Sequence, residues 1–225
     1  EHGIYIDGRV YLYYLGIRTI DPGSVWAFHN IGSGLAVLDP DSGKCERLYN
    51  DDDWRFWRLR ADDFHFGVQV VREQEYLYVF ASVRTGLTWS ARLARVPCDR
   101  VTDPRAYEYL VAAHPAWSAK LSHACSLGAC GSEYSVSYNA YLGKYLMVYL
   151  DEYTKTLVLR SADAITGPYS EPQALGKVPH KASSELVYLA FEHPVFSKDN
   201  GQRIFVSYCQ PHFSANSMVT ICFTR

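Results

Sequence analysis

Two glutamates and three histidines stand where acid–base chemistry could be done. Glu133 lies in Ser132-Glu133-Tyr134-Ser135, and Glu192 lies beside His193 in Phe191-Glu192-His193-Pro194. His65 falls in Phe64-His65-Phe66-Gly67 and His2 in Glu1-His2-Gly3. Each run reads as the head of a strand, so the same point recurs with a His, a Glu or both. Strands seldom bury such groups unpaired, and the recurrence predicts a polar site on a common axis. Cleavage of a glycosidic bond needs a carboxylic acid to protonate the leaving oxygen and a second carboxylate as nucleophile or base. Glu133 and Glu192 are the candidates for that pair. His65, His193 and His2 could bind substrate hydroxyls, tune a carboxylate, or hold a central divalent ion or water, and Tyr134 lies next to Glu133 as a further substrate contact. A single His is as readily a satisfied core hydrogen-bonder, and Glu192 could simply pair with the neighbouring His193.

The elements that position these residues recur. Tyr11–Leu15, Tyr76–Phe80, Tyr145–Tyr149 and Ile204–Tyr208 read alike and start about 65 residues apart. A turn signal precedes each: Asp7-Gly8, Arg72-Glu73-Gln74, Leu142-Gly143-Lys144 and Asp199-Asn200-Gly201. Before each turn lies another extended run, namely Gly3–Ile6, Gly67–Val71, Ser135–Asn139 and Pro194–Phe196. A third run follows in Ala91–Val96, Thr156–Arg160 and Met218–Phe223. Strand, turn, strand, loop, strand, with room for a fourth strand, describes a propeller blade. The fold class expected is all-β, a single β-propeller domain over 1–225 with four four-stranded blades near 1–62, 63–122, 123–185 and 186–225. Only Asp103–Ala113 has room for a short helical turn. The chain begins with Glu1 rather than Met and starts directly on an inner strand. It is therefore read as a trimmed or partial chain that lacks an N-terminal blade of a five-bladed ring, with a complete four-blade ring as the alternative.

Bulk properties narrow the functions. The net charge of −2 carries no clustered basic excess, which excludes a nucleic-acid footprint. No apolar run approaches the roughly 20 residues of a membrane-spanning helix. The 18 Tyr and 5 Trp suit strand faces and sugar clefts alike. Trp54 and Trp57, beside Asp51-Asp52-Asp53, could form a sugar platform or pack in the core. Six cysteines permit disulfides without proving any. Cys209 with Cys222 could face each other across a hairpin, and Cys125 with Cys130 could close a short loop. Six buried thiols are the alternative. His123-Ala124-Cys125 with Cys130 lacks the paired ligands of a zinc site, so no metal is assigned. Asp39-Pro40-Asp41-Ser42-Gly43-Lys44 resembles the hairpin turn of sialidase-type propellers. No phosphate loop and no Gly-x-Ser-x-Gly elbow is present.

Several of these segments resemble a known family. Tyr76–Phe80, Arg84, Ala91–Pro97 and Ala106-Tyr107-Glu108-Tyr109 are similar to a bacterial and fungal domain family long without an assigned function, some of whose members are endo-D-arabinanases acting on mycobacterial cell-wall arabinan. The similarity continues through Gly131–Asn139, Leu159–Ala162, Gly167–Ser170 and His193-Pro194, with Trp26 and Gly32–Leu38 fitting an earlier blade. The ordered string covers nearly the whole chain, although no single motif is specific. The resemblance implies a five-bladed propeller of the arabinanase type. The family's Thr-Asp and Gly-Asp-Thr motifs, which carry its catalytic aspartates in the N-terminal blade, have no match at the start of this chain. Glu133 does match a motif position, as do Arg84, Arg95 and Arg160. Arg84 joins the substrate-binding set, and Arg95 and Arg160 could equally form structural ion pairs between blades.

Three functions follow. The first is a glycoside hydrolase, or a part of one, acting on a furanose-rich polysaccharide such as arabinan by carboxylate acid–base chemistry. The second is a non-catalytic carbohydrate-binding propeller, and the third a protein-interaction scaffold. The expected partner is a polysaccharide or oligosaccharide, with no nucleic acid and no cofactor. The chain is expected to be a monomer, in an extracellular or cell-envelope setting.

Overall fold

Short runs of Tyr, Val, Leu and Ile, broken every few residues by Gly, Asn or Asp, leave the backbone little choice but hairpins. A computed structural model describes residues 2–23, 27–48, 53, 55–57, 64–112, 115–180, 187–210 and 217–223. The described residues form strands, turns and a few single 3-10 turns. Among them no helix is long and apolar enough to cross a membrane.

The chain is all-β, of the β-propeller class: consecutive antiparallel strands pair in order to give four successive sheets. The first sheet contains β1 (Gly3–Ile6), β2 (Arg9–Thr19), β3 (Phe28–Leu38) and β4 (Cys45–Leu48). The second runs β5 (His65–Glu73), β6 (Tyr76–Thr85), β7 (Thr88–Pro97), β8 (Glu108–Ala112) and β9 (Ala116–Ser118). The short β10 (Ala129–Cys130) pairs with the start of β7. The third contains β11 (Tyr134–Asn139), β12 (Lys144–Asp151), β13 (Thr156–Ala162) and β14 (Gln173–Lys177). The fourth has three strands among the described residues, β15 (Tyr188–Glu192), β16 (Arg203–Cys209) and β17 (Ser217–Cys222). The helical turn expected within Asp103–Ala113 is a 3-10 turn at Pro104–Ala106, where the Asp103 side chain accepts from the Arg105 N–H.

These strands belong to two compact units, residues 1–87 with 91–126, and residues 88–90 with 127–225. The first unit is built on an aromatic cluster. Trp57 stacks on Phe66 with centroids 4.9 Å apart and meets Phe56 and Tyr107 edge-on. The buried Tyr13 and Tyr107 hydroxyls bond to each other at 2.9 Å, and Tyr107 donates onward to the Val101 carbonyl at 2.8 Å. Phenols can be buried this way because each polar tip finds a partner. The second unit is aliphatic instead, with Leu146, Val148, Leu159, Ile204 and Val206 in one cluster. Burying each such side chain contributes roughly 1.5–3 kcal/mol.

One strand of the expected set is displaced. Pro194–Phe196 is a 3-10 turn and Asp199–Gly201 another, so the first strand of the fourth sheet ends at Glu192. Proline explains this: it has no N–H for a ladder, and its fixed φ suits the first position of a turn. The turn ahead of β16 holds Asp199, Asn200 and Gly201 at φ 54°, 58° and 94°. The Asn139 amide donates to the Gly201 carbonyl at 2.8 Å, and a Cβ on Gly201 would lie 2.7 Å from that amide nitrogen. Glycine is therefore required there by both conformation and space.

Candidate functional site

Glu133 immediately precedes β11, and Glu152 immediately follows β12. Antiparallel pairing sets Tyr134 opposite Tyr149, which brings the head of one strand beside the tail of the other. The two carboxyls meet at this edge. The Ser132 hydroxyl touches both, contacting Oε2 of Glu133 and Oε1 of Glu152. A hydroxyl has one proton, so it donates to one carboxylate at a time. All three side chains are half-buried.

The same site takes in the head of β15 and the tail of β16, where Tyr188 is paired with Cys209. Burial, then the neighbouring Cys209, then Glu133 hold the Tyr188 phenol above its usual range. Burial and then Glu133 do the same to the Cys209 thiol. Glu133 thus lies within electrostatic reach of both, and the cluster combines two carboxyls, a hydroxyl, a phenol and a thiol.

Glu192 is not part of this cluster. It is 6% exposed and sits opposite Val206, in the middle of β16 rather than at its end. Its Oε2 accepts from Ser137 Oγ, and its own backbone N–H donates to Ser135 Oγ at 2.9 Å. Burial raises its carboxyl above the usual carboxylate range, and the Ser137 bond offsets part of that. Glu192 therefore pins β15 against β11. His193 follows, with Nε2 bonded to Ser207 Oγ at 2.7 Å.

The histidines of the first unit stand at other levels of their sheets. His65 is opposite Ser82, near the end of β6, whereas His2 lies beside Tyr13, early in β2. The two imidazoles of the first unit thus do not share one level of their sheets. His65 Nε2 bonds the Asn30 amide at 2.6 Å, and burial pushes its imidazole down to about 4, so it is neutral at physiological pH. Burial also lowers His2. The bulge between Phe66 and Gln69 rests on Gly67, whose φ is +96° and whose missing Cβ would lie 2.2 Å from Tyr13 Cβ.

Several residues expected to meet sugar are placed differently. Trp57 is 5% exposed at the centre of the aromatic cluster, so it offers no platform. Its companion Trp54 lies outside the described residues, as does Trp26. Tyr134 has no exposed surface at 0%, so it packs the sheet beneath Glu133 instead of touching a ligand. Arg84 is exposed, two residues past the partner of His65, with Nε bonded to the Gly86 carbonyl at 3.1 Å. Arg95 pairs with Glu108 of the adjacent strand at 2.8 Å, within one sheet rather than between blades. Arg160 is buried and donates to the carbonyls of Leu127, Ala129, Ser170 and Tyr169. Cys222 is opposite Arg203 at the head of β16 while Cys209 closes that strand, so the two are at opposite ends of the hairpin. Cys125 keeps a free thiol, and the short Cys125–Cys130 bridge is not formed. His123 Nδ1 is bonded to Ser118 Oγ at 3.1 Å.

Residues 1–216 match the family described as a domain of unknown function, DUF4185. The chain belongs to the DUF4185 family. No curated protein matches its sequence. This DUF4185 chain is similar in structure to a Bacteroides ovatus ATCC 8483 protein provisionally named a hydrolase. The TM-score is 0.67 at 15% identity, over 92% of this chain and 52% of that one. The chain thus spans about half the length of that relative. It is also similar to a thermostable family-43 glycoside hydrolase, with a TM-score of 0.58 at 11% identity, over 99% of this chain and 70% of that one. At such identities these likenesses establish the fold.

Within the DUF4185 fold, Glu152 is the site residue that sequence reasoning missed. Its signal was the hairpin itself: once β11 and β12 are paired, residues just before the first strand and just after the second must be neighbours. Glu133 was found by its place at a strand head, but Glu152 reads only as one acid of an Asp-Glu turn.

Proposed function

We propose that this DUF4185 chain is the carbohydrate-acting propeller, or part of it, of a glycoside hydrolase that cleaves a furanose-rich polysaccharide such as arabinan. Glu133 is the acid–base residue in this reading. The observation that carries it is the shared hydroxyl of Ser132 between Glu133 and Glu152. Two carboxyls this close disfavour a double negative charge, which suits Glu133 to keep a proton for the leaving oxygen. A carboxylic acid kept protonated by its surroundings is how a glycosidase holds a general acid ready at working pH.

The fold shared with a family-43 glycoside hydrolase supports the substrate class, and the motif string from Tyr76 to Pro194 supports the furanose polymer. A wall or matrix polysaccharide is met outside the cytoplasm, so an extracellular or envelope setting accompanies the reading. Glu192 has no reacting role in it, because the Ser137 and Ser135 bonds hold it in the interior.

The test is product release from arabinan, arabinogalactan, xylan and fructan by the full-length protein and its Glu133→Gln variant. Release from arabinan by the wild type, reduced at least about 100-fold in the variant, is the expected result. A folded protein that binds a glycan without cutting any polymer would replace the hydrolase with a binding module. Cleavage that survives Glu133→Gln would remove Glu133 from the reaction.

A further inference from the structure

We infer that Glu152 is a positioning residue that acts on Glu133 through the Ser132 hydroxyl and sets the pH range over which Glu133 can donate its proton. The inference rests on the hydrolase reading of this site and adds to it a second carboxyl and the hydroxyl that links the two.

Three structural features lead to it. Ser132 Oγ contacts Glu133 Oε2 and Glu152 Oε1 together, so the rotamer of one carboxyl is tied to that of the other. The two acids arrive from separate points of the chain, before β11 and after β12, and only the pairing of Tyr134 with Tyr149 brings them together. Just beyond them, the tight turn of Tyr153 and Thr154 is fixed by the Asp151 carboxylate, which accepts both of their backbone N–H groups at 3.0 Å. The backbone that carries Glu152 is thereby held while its side chain faces Ser132.

Among the described residues, titratable groups near Glu133 come from three neighbouring elements. Glu152 follows β12, Tyr188 belongs to β15 and Cys209 to β16. Of these, only Glu152 is a carboxyl, and it is bound to the same hydroxyl. A like charge at this range favours the protonated form of Glu133. In the reaction, the Glu133 carboxyl gives its proton to the glycosidic oxygen as the bond from the anomeric carbon to that oxygen breaks. Water supplies the hydroxyl that the sugar gains and the proton that Glu133 recovers. Glu152 makes and breaks no bond in this sequence.

The experiment measures kcat/KM on arabinan against pH for the full-length wild type, Glu152→Gln, Ser132→Ala and Glu152→Asp. Loss of the Glu152 charge should move the basic limb of the profile to lower pH by about half a unit or more. Ser132→Ala should lower kcat more than it changes KM, because it frees Glu133 to leave its donating position. Glu152→Asp keeps the charge and should keep the wild-type limb. Unshifted limbs in an active Glu152→Gln enzyme would overturn the proposal while leaving the hydrolase reading intact. A wild type that cuts no polymer would overturn both. If Glu152→Gln proves unstable, the Glu152→Asp and Ser132→Ala profiles decide: a limb that moves in Glu152→Asp as in Ser132→Ala counts against a charge effect.

Discussion

The hydroxyl of Ser137 donates to the buried carboxyl of Glu192, and through that bond the edge of one sheet is fixed to the next within the second unit. The carboxyl is raised by burial, so the folded protein holds its proton to higher pH than the unfolded chain does. Between the unfolded value of 4.5 and the higher folded value, the folded state binds more protons. Stability from this group is therefore fully present below that window and is lost as pH rises through it. Measured from pH 4 to 8, the denaturant midpoint of the wild type relative to that of Glu192→Gln should fall with rising pH. Equal slopes in the two would show that another group dominates.

His65 leans the other way. Its folded value is about 4 against 6.5 in the unfolded chain, through burial. In that window the unfolded state binds the extra proton, so stability is present above pH 6.5 and falls as pH drops toward 4. The loss should reach on the order of 2–3 kcal/mol. An NMR titration of the His65 ring should show no protonation at pH 6, and a ring that titrates near 6.5 would contradict the buried setting.

Trp57 is a structural residue, and the size of its effect follows from what it touches. Trp57→Ala would remove the ring that joins Phe56, Phe66 and Tyr107. It should cost about 3–5 kcal/mol, whereas Trp57→Phe should cost less than half of that. Glycan affinity measured under conditions where each variant is folded should not change.

Arg160 provides a further test, as a buried cation bonded to backbone carbonyls rather than to a carboxylate among the described residues. Its guanidinium serves four backbone carbonyls, and a Cβ at Gly128 would lie 2.5 Å from it. Lysine has neither the planar fork nor the donor count. Arg160→Lys should therefore destabilise almost as much as Arg160→Met, by about 2–4 kcal/mol in urea unfolding. Full rescue by lysine would show that charge alone matters.

Much of the fold could be read in the sequence because hairpins are local. Asp7-Gly8, Gln74 and Lys155 turn the chain through left-handed conformations, and the apolar runs beside them pair as their patterns require. The Asp39 turn holds its own backbone, accepting from Asp41 and Ser42, with nothing needed from elsewhere. The fourth sheet was misread because Ile-Phe-Val and Pro-Val-Phe look equally extended when the partner strand is unknown.

Sequence by itself therefore determined the sheet-building repeat, the turns that punctuate it and Glu133 at a strand head, since each depends on neighbours a few residues away. Register and burial were decided only by the tertiary structure. Trp57 became core because Phe66 and Tyr107 close over it, and Glu192 became a buried anchor because β15 stops before Pro194. Glu152 joined Glu133 because antiparallel pairing places residues about 20 apart in the chain at one edge. A one-residue change of register turns a side chain to the other face of its sheet, and composition and spacing carry too little information to set that register.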